Sequence, residues 1–447
     1  FNKAWKAKQS GWHDQTRAIF ANAEIGWKSM IYLTATGRND WDSRLAFSDY
    51  KSFFYPSIGL SAILTSMFNA PDWLTYLKVR GSYTEVGNSY GRFMTTVTYP
   101  YDEQTQSWTS TSSYPNTKLK PERTKSWEVG LDARILNDIS LNLTYYRSNT
   151  YNQTFYADLS LSSGYSNIPI QSGNIMNEGL EMSLGYNKQW KDFSFNTNYT
   201  LTWNKNRVKR LADGVYNYAT GQPIQMPELS PLTYGHTDAR LILRVGGSMG
   251  DVYGQRLLKR DLNGYILNEE GVGLAMENKE TYLGSILPKM NMGWSLGFGY
   301  KGVNLGMTFT GRFGGIVISE TQSVLDAAGV SKVSADVRDA GGVQINQSKV
   351  SAQTYYQTIQ GTAAYYTYSA TNVRLGELSL SYTLPKKWFD NKVGMTVGLV
   401  GKNLWMIYCK APFDPELTTS AASNFYQGFD AYMLPSTRNF GFNVKFQ

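Results

Sequence analysis

Apolar residues recur at every second position along much of the chain. Ile19, Ala21, Ala23, Ile25 and Trp27 alternate with Phe20, Asn22, Glu24 and Gly26, and after a tight turn Ile31, Leu33 and Ala35 alternate with Tyr32, Thr34 and Thr36. Strand side chains point alternately to two faces, so this spacing predicts a hairpin. The same pairing recurs at 58–64 with 77–83 across Asn69-Ala70-Pro71-Asp72, and at 127–135 with 139–145 across Asn137-Asp138. It returns at 180–186 with 193–203 across Lys191-Asp192, at 290–300 with 303–313 across Lys301-Gly302, and at 378–384 with 393–399. Apolar parity switches between Leu375 and Leu378, which predicts a bulge near Gly376. The chain closes on Phe440, Phe442, Val444 and Phe446, with Asn439, Gly441, Asn443 and Lys445 on the opposite face.

The polar face carries the decisive signal. On an ordinary soluble sandwich it would be outer surface, rich in Lys and Glu. Over 139–145 and 193–203 it reads Ser140, Asn142, Thr144, Ser194, Asn196, Asn198, Thr200 and Thr202, as suits a water-filled lumen. Connections alternate between short turns and long loops. The stretch 87–121 reads as a loop, and the excursion 208–288 is too long to stay unstructured, so it should fold locally or bind something. Short turns on one rim and long loops on the other are the periplasmic and extracellular ends of an outer-membrane barrel. The expected fold is all-β, a transmembrane antiparallel β-barrel with about thirteen strands in this chain. An odd count of up-and-down strands cannot close without a parallel seam, so residues 1–447 read as the C-terminal part of a larger barrel of about 22 strands. Its early strands and plug would lie upstream of Phe1, and the closing strand would take its second partner from them.

Composition changes this picture little. Mean hydropathy is −0.38 and 42% of residues are hydrophobic, which looks soluble, but in a barrel only alternate residues of each strand face lipid. No run approaches the roughly 18 apolar residues of a spanning helix. The net charge of +8 comes from dispersed Lys and Arg, with no basic run of the kind that tracks phosphates, so nucleic acid is not expected as a partner. Cys409, His13 and His236 stand apart from one another, and neither a disulfide, a metal site nor a cofactor is expected. No catalytic constellation is visible; Asp414-Pro415-Glu416 reads as a loop fold rather than a carboxylate pair.

Several segments resemble one family in order. Leu119-Lys120-Pro121-Glu122-Arg123-Thr124-Lys125-Ser126-Trp127-Glu128-Val129-Gly130-Leu131 is one. Tyr282-Leu283-Gly284-Ser285-Ile286-Leu287-Pro288-Lys289 running into Gly299-Tyr300-Lys301-Gly302-Val303-Asn304-Leu305 is another. Asn372 to Pro385, Lys402-Asn403-Leu404-Trp405, Asp414-Pro415-Glu416 and Leu434-Pro435-Ser436-Thr437-Arg438 complete the pattern. Together they resemble the SusC/RagA-like branch of TonB-dependent transporters in the outer membrane of Bacteroidota. The resemblance implies active import of oligosaccharides or oligopeptides beneath a SusD-like surface lipoprotein, driven by TonB-ExbB-ExbD through an N-terminal part. Asp261-Leu262-Asn263-Gly264-Tyr265-Ile266 departs from the family's calcium-like turn, because Tyr265 stands where an Asp is usual. A passive porin and a secreted carbohydrate-binding β protein are the alternative readings.

The loops offer aromatic rings, which stack on sugars or pack on peptide side chains. The candidate substrate or lid contacts are Trp108 and Tyr114 in one loop, Tyr365, Tyr366 and Tyr368 in a second, and Phe425 and Tyr426 in a third. The same rings could equally serve to hold the loops together.

Overall fold

The computed structural model describes residues 11–102, 105–171, 173–211, 228–269, 273–417, 419 and 424–446. Thirteen of its strands form one antiparallel sheet in chain order. They are β1 (Thr16–Trp27), β2 (Ile31–Asp42), β3 (Ser52–Ile63), β4 (Leu74–Asn88), β5 (Glu122–Ile135), β6 (Ile139–Tyr151) and β7 (Asn174–Trp190). The series continues with β8 (Phe193–Arg210), β9 (Met290–Tyr300), β10 (Val303–Phe313), β11 (Asn372–Leu384), β12 (Met395–Cys409) and β13 (Asn439–Phe446). Each hairpin inferred from alternation is present, and short and long connections fall on opposite rims. Among the described residues no helix is long and apolar enough to cross a membrane.

Register turns the alternation into two continuous faces. One row runs Val129, Tyr145, Leu180, Trp203, Met290 and Phe313 across β5 to β10. At the far side Val397 faces Val444, and Leu399 faces Phe442. The opposite face holds hydroxyls, amides and glycines, with pairs such as Ser57 to Thr84 and Thr383 to Thr396 within hydrogen-bond distance. The expected bulge is found: Glu377 pairs with Thr308 and Leu375 with Phe309, so Gly376 is skipped. That shift returns Leu375 to the apolar face beside Trp405.

Burial is distributed the opposite way from a soluble sandwich. Leu399, Phe442 and Phe440 are 62%, 70% and 81% exposed, while the fully buried Leu45, Leu119, Tyr234, Leu241, Ile286 and Ile318 lie outside the main sheet. The hydrophobic core therefore sits among the long loops, and the sheet's apolar face remains open to its surroundings.

Candidate functional site

Neighbouring long loops are joined to one another around the rim. Leu45 after β2 packs with Tyr90 and Leu119 of the loop after β4. That loop reaches the next through Asn116 Nδ2, which donates to the Pro169 carbonyl at 3.0 Å. Phe155, Ile168 and Ile170 then pack with Val208, Leu229 and Leu243, linking the loops after β6 and β8. The long excursion does fold locally: Glu228–Thr233, Arg240–Arg244, Asp251–Leu258 and Met276–Ser285 form a four-stranded sheet.

Tyr234, Leu241, Val252 and Ile286 of that sheet region meet Ile318 and Ala363 of the loop after β10 and Phe429 of the loop after β12. The last two loops also join through backbone, because Ile316–Ser319 pairs parallel with Phe429–Asp430. The loop after β10 carries the helices Glu320–Ala327, Lys332–Asp339 and Ala352–Ile359, each capped by a serine whose hydroxyl accepts a backbone N–H. These helices are not among the elements expected from the alternation of apolar residues.

The structure brings some of the candidate aromatic residues together and separates others. Tyr365, Tyr366 and Tyr368 share one cluster with Leu258, Ile345 and Tyr356. Tyr366 is 3% exposed, and its hydroxyl has no hydrogen-bond partner among the described residues. Tyr365 accepts the Leu258 N–H at its hydroxyl, and the Tyr368 ring meets Phe413 edge-on at 5.7 Å. Burial, then the charge of Asp326, pushes the Tyr368 hydroxyl up to about 12. Phe425 and Tyr426 pack against the adjoining cluster, where the Tyr234 hydroxyl donates to the Phe425 carbonyl at 2.7 Å. Trp108 and Tyr114 stand apart in the loop after β4. Trp108 is 70% exposed with Tyr101 at 5.1 Å, and Tyr114 meets Tyr165 edge-on at 5.1 Å.

Two arrangements were not singled out from sequence. On the lumen face Arg80 lies over Gly130, where a Cβ would stand 2.6 Å from its Nε, and the guanidinium donates to Asp132 and Thr144. At the rim Arg374 forms two hydrogen bonds with Asp414, at 3.0 and 2.8 Å, and lies 3.3 Å from Glu416. Glu416 also accepts from Asn372, so Asp414-Pro415-Glu416 is the expected loop fold and clamps the last long loop onto β11. Burial pushes the Asp414 carboxyl up, but hydrogen bonds from Arg374 and the Glu416 N–H, with the Arg374 charge, outweigh it and hold it below the ordinary range. At the Asp261 turn, Oδ1 accepts the backbone N–H groups of Asn263 and Tyr265, the geometry of an Asx turn.

A cleft of about 650 Å³ opens where β9 stops short of β8. Pairing ends at Trp203 with Met290, while β8 runs on to Arg210 and is met by the Gly246–Gly247 turn through Val208. Trp203, Lys205, Arg207, Asp251, Tyr282 and Lys289 line it. Tyr282 donates to Asp251 at 3.2 Å. Burial, then the neighbouring carboxylate, pushes that hydroxyl up to about 12, and burial raises Asp251 as well.

The sequence profile described as "TonB dependent receptor-like, beta-barrel" matches residues 6–404. TonB-dependent receptor P3 of Formosa agariphila is 25% identical over 96% of this chain and 45% of its own length. TonB-dependent receptor SusC of Bacteroides thetaiotaomicron is 25% identical over 48% of this chain and 19% of its own. Among solved structures, the RagAB peptide transporter superposes with a TM-score of 0.73 at 20% identity, covering 97% of this chain and 47% of that one. The chain thus spans about half the length of the first of these relatives.

Proposed function

The chain belongs to the TonB dependent receptor-like β-barrel family, and from that premise we propose that it forms the wall of a TonB-dependent outer-membrane importer for oligosaccharides or oligopeptides. The observation that carries the reading is the inverted distribution of apolar residues. A sheet whose hydroxyl-rich face looks inward and whose Leu, Phe and Trp look outward is stable only with lipid against the outer face. A secreted carbohydrate-binding protein would leave that belt in water.

Residues 1–447 correspond in this reading to the C-terminal part of a barrel of about 22 strands. Among the described residues β1 pairs only with β2 and β13 only with β12, and each leaves one edge for strands from the rest of the receptor. The joined loops form the extracellular rim. A SusD-like surface lipoprotein docks there, and Trp108, Tyr114, Tyr365, Tyr368, Phe425 and Tyr426 offer rings to substrate or to that lid. Tyr366 supports them from the interior. TonB-ExbB-ExbD acts through the N-terminal part of the receptor.

Uptake of labelled oligosaccharides and oligopeptides by cells expressing the complete receptor tests the reading, with and without TonB. Loss of TonB should abolish uptake of one substrate class. Uptake that continues unchanged would identify a passive channel instead.

A further inference from the structure

We propose that the cleft beside β8 is a binding site for the phosphate-bearing headgroup of a lipid in the surrounding leaflet. Consecutive rows on the outward face differ in charge. The row Val129, Tyr145, Leu180, Trp203 and Met290 carries no charge. One step toward the long-loop rim the row reads Trp127, Arg147, Glu178 and Lys205, and one step further Lys125, Asn149, Met176 and Arg207. The surface passes from apolar to cationic two to four residues beyond Trp203. A tryptophan at that level marks the boundary between acyl chains and headgroups.

The cleft concentrates this charge. Lys205 and Arg207 reach it from the outward face of β8, against Asp251, whose carboxylate is already engaged by the Ser248 N–H and the Tyr282 hydroxyl. Lys205 lies 3.8 Å from Glu178, a loose ion pair that leaves its ammonium other donors for a ligand. A phosphate takes bidentate hydrogen bonds from an arginine and point charges from lysines, while its acyl chains would run down over Trp203, Leu180 and Met290. A neutral sugar would not need these two cations, which share the outward parity of β8 with Trp203. The inference rests on the membrane placement proposed above.

The test uses the complete receptor purified from outer membranes in detergent. Retention of phosphorylated lipid A is measured by native mass spectrometry and by binding to vesicles of neutral lipid with and without lipid A. Lys205→Gln and Arg207→Gln should each weaken retention about fivefold, and together roughly twenty-five-fold, as expected for single charges at an anionic membrane surface. The charge-keeping pair Lys205→Arg and Arg207→Lys should retain lipid A. So should Lys301→Gln, which removes a cation from the opposite rim.

Unchanged retention in the double glutamine variant overturns the proposal. So does displacement of lipid A by millimolar inorganic phosphate, which would mark a general anion site, or recovery of a sugar or peptide in its place. Each variant is first checked for heat-modifiable migration, and the single variants keep the test open where the double does not assemble. A receptor that stays monomeric without detergent refutes the membrane placement itself, an outcome separate from loss of lipid A.

Discussion

Leu143→Arg is the sharpest probe of which face meets lipid. Leu143 lies on β6 between Leu131 of β5 and Met182 of β7, in an uninterrupted apolar row. It stands four residues above Ile139, where β6 leaves the short turn. At about 3.3 Å per residue and a tilt near 40°, those residues climb about 10 Å, close to the middle of an apolar band about 25 Å tall. An arginine there should cost about 2 to 4 kcal/mol, and at Leu141, nearer the turn, less. The adjacent Asn142 points into the lumen and hydrogen-bonds Asp132, so Asn142→Arg places its guanidinium beside a carboxylate in water and should assemble normally. The assay is urea unfolding of the complete receptor in liposomes, followed by heat-modifiable migration. Equal destabilisation by Asn142→Arg and Leu143→Arg, or a larger cost at Leu141 than at Leu143, would refute this placement of the lipid face.

Asp414→Asn should cost about 3 to 5 kcal/mol locally, because it leaves the nearly buried Arg374 without its bidentate partner, and limited proteolysis should then cut the last long loop faster. The same clamp predicts a pH dependence. A carboxyl held below its unfolded value stabilises the fold above that value, so protection from protease should persist at neutral pH and fall away as pH drops below about 4. Tyr234→Phe removes the hydrogen bond to the Phe425 carbonyl and should destabilise the rim by about 1 to 2 kcal/mol, whereas Tyr366→Phe removes a buried hydroxyl with no described partner and should be neutral or slightly stabilising; thermal scans of the purified receptor separate the two. Gly179→Ala would put a Cβ 2.5 Å from the Trp203 carbonyl oxygen, a backbone atom that cannot swing aside, and should cost about 1 to 3 kcal/mol, while Gly59→Ala, with its nearest neighbour at 3.9 Å, should leave the urea midpoint unchanged.

The barrel strands were legible because period-two alternation records two different surroundings at once. Where both faces matter, as at 139–145 and 193–203, strand, turn and facing all follow from the residues. The Gly376 bulge was visible for the same reason, as a break in parity that the neighbouring strands had to absorb. The rim was harder. Its core is assembled between loops distant in sequence, as when Tyr234 meets Phe425 and Phe429, and no local pattern encodes such contacts. The helices in the loop after β10 did carry a local signal, a serine before each first turn, yet each has only eight residues, too few for a helical period to stand out. The aromatic candidates were found as residue types, but whether a ring faces solvent or its own loop depends on those distant contacts. Tyr366 and Trp108 are alike in sequence terms and opposite in exposure.

This division of labour bears on how the rim could work. Barrel strands gain little from hydrophobic contact with one another, since their apolar side chains face lipid in any case; their order comes from the backbone ladder and the lumen hydrogen bonds. The rim has a core of its own, and its loops are joined by buried side chains, by the parallel pairing of Ile316–Ser319 with Phe429–Asp430 and by the Arg374 clamp. Loops so connected present exposed rings such as Trp108 on an ordered base, which in the proposed reading would lower the entropy lost on binding a ligand or lid. Loosening one join should therefore weaken contacts made elsewhere on the rim. Asp414→Asn is the direct case: it lies among the last long loop's anchors to β11, yet it should also weaken protection of 316–319, whose parallel partner belongs to that loop. Hydrogen exchange confined to 410–438 in that variant would show that the loops act singly.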